Sequence, residues 1–199
     1  MKRREFLKSS CLALSGSAFF GASPTQAKRD KTGTSPGRRP PNIVFIFSDD
    51  LSYRDLSYLG QSKFSTPHID RLARQGMVFE NAYVGSPECA PSRASLMTGM
   101  HMGHCRIRRN RSVRGQDHLL PEDQTVAEVL KKAGYATCFV GKWGIGLPGT
   151  PGVPHKQGFD YSYGYYDQRR AHTYFPHYLI ENGKVRPIPA NYGFNMSRV

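Results

Sequence analysis

The chain has 199 residues, of which 38% are hydrophobic, 12% aromatic and 22% charged, with four cysteines and a net charge of +13. That composition suits one ordinary globular domain and excludes a disordered chain or a disulfide scaffold. No apolar run reaches the ~20 residues of a membrane-spanning helix, and more than half of the positive excess lies in residues 1–41, which argues against nucleic-acid binding by the body.

Residues 1–27 begin Lys2-Arg3-Arg4-Glu5-Phe6-Leu7-Lys8, pass through an apolar stretch from Cys11 to Phe20, and end Thr25-Gln26-Ala27. A basic start, a short apolar region and small residues before a cleavage point make a secretory signal. Its Arg-Arg-x-Phe-Leu-Lys core resembles the twin-arginine export signal of bacteria, which implies a twin-arginine translocase as partner and a periplasmic or secreted destination. With the signal removed, no integral membrane segment is expected. Residues 28–41, rich in Lys, Arg, Gly, Ser and Pro, read as a flexible basic linker. The folded body is placed at 42–199, where Cys89, Cys105 and Cys138 leave an odd thiol.

Ile43-Val44-Phe45-Ile46-Phe47 is a continuous apolar run, the pattern of a strand buried on both faces of a parallel sheet. Thr66 as N-cap, Pro67 at the first helical position and Gly76 as stop predict a helix over 67–75. A second strand is expected over 77–84, and a short helix over 92–98 closed by Gly99. A third helix is expected over 122–133, capped by Gly134, and a strand over 135–140. Beyond Gly141 the Gly-, Pro- and Tyr-rich sequence predicts mainly loops. This order gives an α/β domain with a mostly parallel sheet flanked by helices.

Chemistry-bearing residues gather at the predicted strand ends, where open α/β sheets place ligands. Asp49 and Asp50 follow the first strand; adjacent carboxylates repel unless a cation or donors compensate, and such oxygen donors suit a hard divalent ion. Taken alone, the pair is more simply read as a solvated turn. Cys89 lies just before a predicted helix, whose N-terminal N–H groups favour an anion, and Arg93 follows four residues on, on the same face. A nucleophile, an anion pocket and a fixed cation fit chemistry on an anionic group, although a buried structural cysteine is the plain alternative. Arg106, Arg108, Arg109, Arg111 and Arg114 form a basic run that reads as a solvated loop or a funnel for polyanions. The tyrosines from Tyr161 to Tyr178 suit either packing or sugar stacking.

The Cys89-Ala90-Pro91-Ser92-Arg93 run, continued by Ser95-Leu96-Met97-Thr98-Gly99, is similar to the Cys-x-Pro-Ser-Arg signature of the type I sulfatases. Pro41-Asn42 through Asp49-Asp50 resembles that family's first strand and metal pair, and Thr66-Pro67-His68 through Ala73 its next helix. Gly134-Tyr135 through Gly141-Lys142-Trp143 resembles its second signature, so four motifs run in order from about Asn42 to Tyr178. The resemblance implies the N-terminal half of an alkaline-phosphatase-like catalytic domain and hydrolysis of sulfate esters, on a sulfated carbohydrate or aryl sulfate. It implies that a formylglycine-generating enzyme converts Cys89 to Cα-formylglycine, whose hydrate attacks sulfur and then releases the sulfate. It implies a calcium ion held by Asp49, Asp50 and the modified Cys89. Arg93 would stabilise the modified side chain and Lys142 would contact sulfate as a point charge. Gln168-Arg169-Arg170-Ala171-His172 resembles a pocket-lining loop of some bacterial sulfatases, which makes His172 a substrate or leaving-group contact.

Two departures from the family pattern stand out. Where the second signature often reads Gly-Lys-Trp-His, this chain has Gly144, so that imidazole is missing. The family is also usually more than twice this length, and its second half brings further calcium ligands and another lysine. The sequence therefore leaves open a truncated non-catalytic remnant, or a related phosphodiesterase or phosphonate hydrolase.

Overall fold

A computed structural model describes residues 39–52, 54–111 and 115–189. The expected export signal, most of the basic linker, Arg114 and the last ten residues lie outside the described residues. The chain divides after Phe47 into two units. Of the first, the described part has no helix or strand, and Val44 and Ile46 are 83% and 84% exposed. The strand expected over 43–47 is therefore not formed, because an apolar run becomes a strand only with a ladder partner.

The second unit opens with a 3₁₀ turn, Ser57–Leu59, and helix α1, Pro67–Gln75. Its bounds match expectation, but Thr66 does not cap it with its side chain. Instead Thr66 Oγ1 donates to Asp70 at 2.7 Å and accepts from the Ser57 amide at 3.0 Å. That ties the helix start back to the 3₁₀ turn. The strand expected over 77–84 is also absent: this segment is irregular and exposed. Helix α2, Cys89–Thr98, starts three residues earlier than expected and ends on left-handed Gly99. Its first turn is carried by Glu88 as N-cap residue, and Ala90, Pro91, Ser92 and Ala94 are buried.

Helix α3, Val126–Lys132, is shorter than expected because Thr125 caps it. Thr125 Oγ1 accepts from the Glu128 amide at 3.3 Å while Glu128 accepts from the Thr125 amide at 2.7 Å. Such a reciprocal box is worth ~1 kcal/mol and starts the helix at that position. The preceding Asp123 is drawn elsewhere, accepting from Leu120 N at 2.8 Å and from Arg106 Nε at 2.6 Å. Arg108 likewise donates to the carbonyls of Cys105 and Gly103. Two arginines of the basic run are thus loop staples.

Four strands form one mixed sheet in the order β1 (Cys138–Lys142), β2 (Tyr161–Tyr165), β3 (Tyr178–Glu181) and β4 (Lys184–Pro187). β1 and β2 are parallel, whereas the β2–β3 and β3–β4 pairs are antiparallel. The last three strands occupy the region expected to be loops. In β2 the small residues Ser162 and Gly164 are buried and the three tyrosines lie on the more open face. β3 and β4 are joined at Asn182 and Gly183, both with positive φ (46° and 80°), which is the type I′ hairpin signal.

The main core packs Ala90 and Ala94 of α2 against Ile107, Leu119, Trp143 and Ile145. Phe139, Trp143 and Phe159 meet with ring centroids 5.0–5.7 Å apart, and the Trp143 indole donates to Gly152 O at 2.8 Å. A satellite cluster of Val153, Tyr166 and Ile180 uses a tyrosine whose hydroxyl is paired with Ser162 Oγ at 2.8 Å. Arg170 lies 3.8 Å from the Tyr178 ring centroid, so these tyrosines pack within the sheet layer. No helix among the described residues is long and apolar enough to cross a membrane.

Asp160 links β2 to the α3–β1 connection by accepting from Thr137 N at 3.0 Å and by pairing with Lys131. The Lys131 ammonium and then the Thr137 donors lower its pKa from 3.8 to about 2. A depressed folded value means that its stabilising contribution is present above the ordinary carboxylate range and lost as pH falls from about 4 towards 2. Asp160→Asn is expected to flatten the fall in melting temperature over that interval. Equal slopes for the two proteins would refute this.

Candidate active site

Three of the expected site residues come together from distant parts of the second unit. Lys142, the last residue of β1, donates from Nζ to Asp49 Oδ2 at 2.8 Å. Arg93, one turn into α2, donates through one guanidinium nitrogen to the Lys142 carbonyl at 2.6 Å. Its other terminal nitrogen stands 3.4 Å from Asp49 Oδ1. The two cationic side chains are each only 11% exposed, whereas that of Asp49 is 41% exposed. Two cationic side chains thus meet the Asp49 carboxylate in surroundings that screen their attraction less than open water does. Partial burial works against the charged form of Asp49, but the Lys142 hydrogen bond and charge, with Arg93, outweigh it and hold the carboxyl below its usual value.

Cys89 occupies the first helical position of α2, half-buried, rather than the loop ahead of the helix. Spacing of four residues puts it on the Arg93 face. The helix start is not open to an anion on all sides. Asn110 accepts the Ala90 amide at 2.9 Å, and the Asn110 amide donates to Glu88 at 2.8 Å. Cys105 is buried and Cys138 exposed, and none of the three described cysteines is in a disulfide.

Asp50 is exposed and has a left-handed backbone (φ 55°), which turns the chain sharply after Asp49. No cluster of three or more His, Cys, Asp or Glu side chains suited to a metal occurs among the described residues. Asp49 and Asp50 supply the hard oxygen donors that calcium prefers, yet only two of the ~6–8 ligands it takes. His172 sits exposed in a 3₁₀ turn, Arg170–Thr173, and no hydrogen bond or ion pair joins it to the Asp49–Arg93–Lys142 cluster. Asn110 and Gln168, neither of them a site residue expected from the sequence, also stand close to these residues. Gln168 packs over Gly144 beside the Arg93 stem, a proximity signalled in sequence only by the glycine that replaces the usual histidine.

The family model for sulfatases matches residues 41–187. The chain belongs to the sulfatase family. It is 40% identical over 167 residues to the N-acetylgalactosamine-6-O-sulfatase of Bacteroides thetaiotaomicron, covering 76% of this chain and 32% of that protein. Human arylsulfatase A is 46% identical over 125 residues, covering 61% of this chain and 24% of that protein. Among solved structures, Ps i-CgsB superposes with a TM-score of 0.64 at 31% identity, over 75% of this chain and 38% of that one. A structure from a Bacteroides thetaiotaomicron locus for metabolism of multiple glycosaminoglycans gives 0.60 at 39% identity, over 73% of this chain and 32% of that one. The chain therefore carries the N-terminal part of the sulfatase catalytic domain, with its alkaline-phosphatase-like α/β fold. It spans about a third or less of the length of these curated relatives.

Proposed function

We propose that this chain carries the nucleophile and sulfate-holding half of an exported sulfatase that cleaves sulfate from a sulfated carbohydrate or an aryl sulfate. The observation that supports it most is the Asp49–Arg93–Lys142 cluster beside the Cys89 helix. A sulfate monoester is an anion, and the two largely buried cationic side chains, Arg93 and Lys142, suit its negative charge. Lys142 is placed to hold a sulfate oxygen, and Arg93, tied to the Lys142 carbonyl, keeps helix and strand in register at that point. His172 is proposed as a contact to substrate or leaving group from the loop side.

Cα-formylglycine made from Cys89 by a formylglycine-generating enzyme would supply an oxygen nucleophile that a thiol cannot replace. Asp49 and Asp50, with the modified Cys89, would hold calcium, whose charge polarises sulfate oxygens. The Arg-Arg-x-Phe-Leu-Lys start supports export through the twin-arginine translocase to the periplasm or beyond. Fragmentation mass spectrometry of the exported protein from its native host is the direct test. An aldehyde at position 89 in a protein that releases sulfate from an aryl sulfate is expected. An unmodified thiol and no sulfate release would overturn the reading.

A further inference from the structure

Gly144 stands two residues after Lys142 with φ +74°. A Cβ built there would land on Gln168 Oε1, with the Gln168 amide carbon at 3.2 Å and Arg93 Cδ at 3.8 Å. The volume in which a side chain at position 144 would begin is thus filled by the end of Gln168. Gln168 is 5% exposed, and among the described residues neither its Oε1 nor its Nε2 has a hydrogen-bond partner. Its backbone is held firmly: the amide donates to Gln116 Oε1 at 2.8 Å, and Gln116 Nε2 donates to Tyr166 O at 3.3 Å. A buried carboxamide with both ends unpaired is a costly feature for a fold to keep without a ligand.

We propose that the Gln168 carboxamide is a substrate-contacting group of this site, donating from Nε2 to an oxygen of the bound sulfate alongside Arg93 and Lys142. The proposal rests on the sulfatase reading and adds to it a residue for the position left without an imidazole by Gly144. The terminal torsion of a glutamine is broad and roughly two-fold, so the amide can turn towards an anion seated against Arg93 without moving its backbone. A carboxamide donates a hydrogen bond but cannot deliver a proton. Gln168 therefore binds sulfate and leaves protonation of the leaving group to another residue.

Titration of inorganic sulfate into the full chain, read by calorimetry alongside thermal melts, tests this with three variants. Gln168→Leu is expected to weaken sulfate binding about tenfold or more, the scale of one hydrogen bond to a charged group. Its melting temperature should hold or rise, since an unpaired buried amide is removed. Gln168→Glu keeps the shape, and should bind weakly at neutral pH and recover as the pH is lowered and the carboxyl takes a proton. This second variant carries the test should Gln168→Leu fail to fold. Sulfate binding by Gln168→Leu or Gln168→Glu equal to wild type, with Lys142→Ala weakened, would overturn the proposal and leave the sulfate site standing. No sulfate binding by the wild-type chain would overturn the site reading and this proposal together.

Discussion

Cys89→Ala is expected to abolish sulfate release, by at least ~10⁴-fold, in protein that carries the aldehyde at position 89 when unmutated. The magnitude follows from removing the proposed nucleophile while leaving the Arg93 and Lys142 charges in place. Arg93 and Lys142 remain in place in this variant, because Arg93 is anchored to the Lys142 backbone carbonyl rather than to Cys89. Inorganic sulfate should therefore bind to Cys89→Ala as it does to wild type. The helix is also unharmed, since alanine is a good helix former and Cys89 is only half-buried. Turnover by Cys89→Ala at the wild-type rate would remove the nucleophile assignment. A parallel loss of sulfate affinity would instead show that the substitution had disturbed the cluster.

The second large effect is on stability and reaches the site through the sheet. Gly164 pairs with Gly141 in the parallel β1–β2 register, and both have positive φ, 147° and 125°. A Cβ on Gly164 would be driven into the Gly141 carbonyl oxygen, with the Gly141 carbonyl carbon at 2.8 Å and nitrogen at 2.9 Å. The obstacle is backbone on the neighbouring strand, which cannot swing aside as a side-chain end can. Overpacking and left-handed strain each cost ~1–3 kcal/mol, so Gly164→Ala is expected to destabilise by ~3–5 kcal/mol. Since Lys142 follows Gly141 directly, relief of the clash would shift the ammonium off Asp49. Denaturant unfolding and sulfate titration of the same variant should thus fall together. An unchanged denaturation midpoint would show that β1 and β2 do not approach as closely as this register requires.

The features legible in the sequence are those governed by neighbours a few residues apart. Pro67 and Gly76 bound α1, and Gly99 closes α2, because N-terminal prolines and C-terminal glycines act on their own turn of helix. The Cys89-to-Arg93 spacing gave a shared helical face for the same reason. The Asn182-Gly183 pair was also readable as a hairpin. The flanking Tyr178–Glu181 and Lys184–Pro187 segments, however, lack the clear apolar alternation that marks strands, so the turn signal stands without strand signals beside it. In β2 that alternation is present but inverted in size, with Ser162 and Gly164 inward and tyrosines outward, so a hydrophobic pattern does not reveal it.

What only the tertiary structure decided is long-range. The apolar runs at 43–47 and 77–84 have strand composition, yet composition does not supply a ladder partner, and neither segment is a strand. Asp49, Arg93 and Lys142 are individually ordinary residues; their meeting depends on contacts spanning 93 and 49 positions of chain. No local rule links Gly144 to Gln168, whose approach is set by β1, β2 and the Gln116 hydrogen bonds. By itself the sequence determined the family and the helix that carries Cys89, because those rest on short, ordered motifs. The meeting of Asp49 with Arg93 and Lys142, and the approach of Gln168 to Gly144, were decided by folding, because distant residues share a dielectric only once the chain has brought them within a few ångströms.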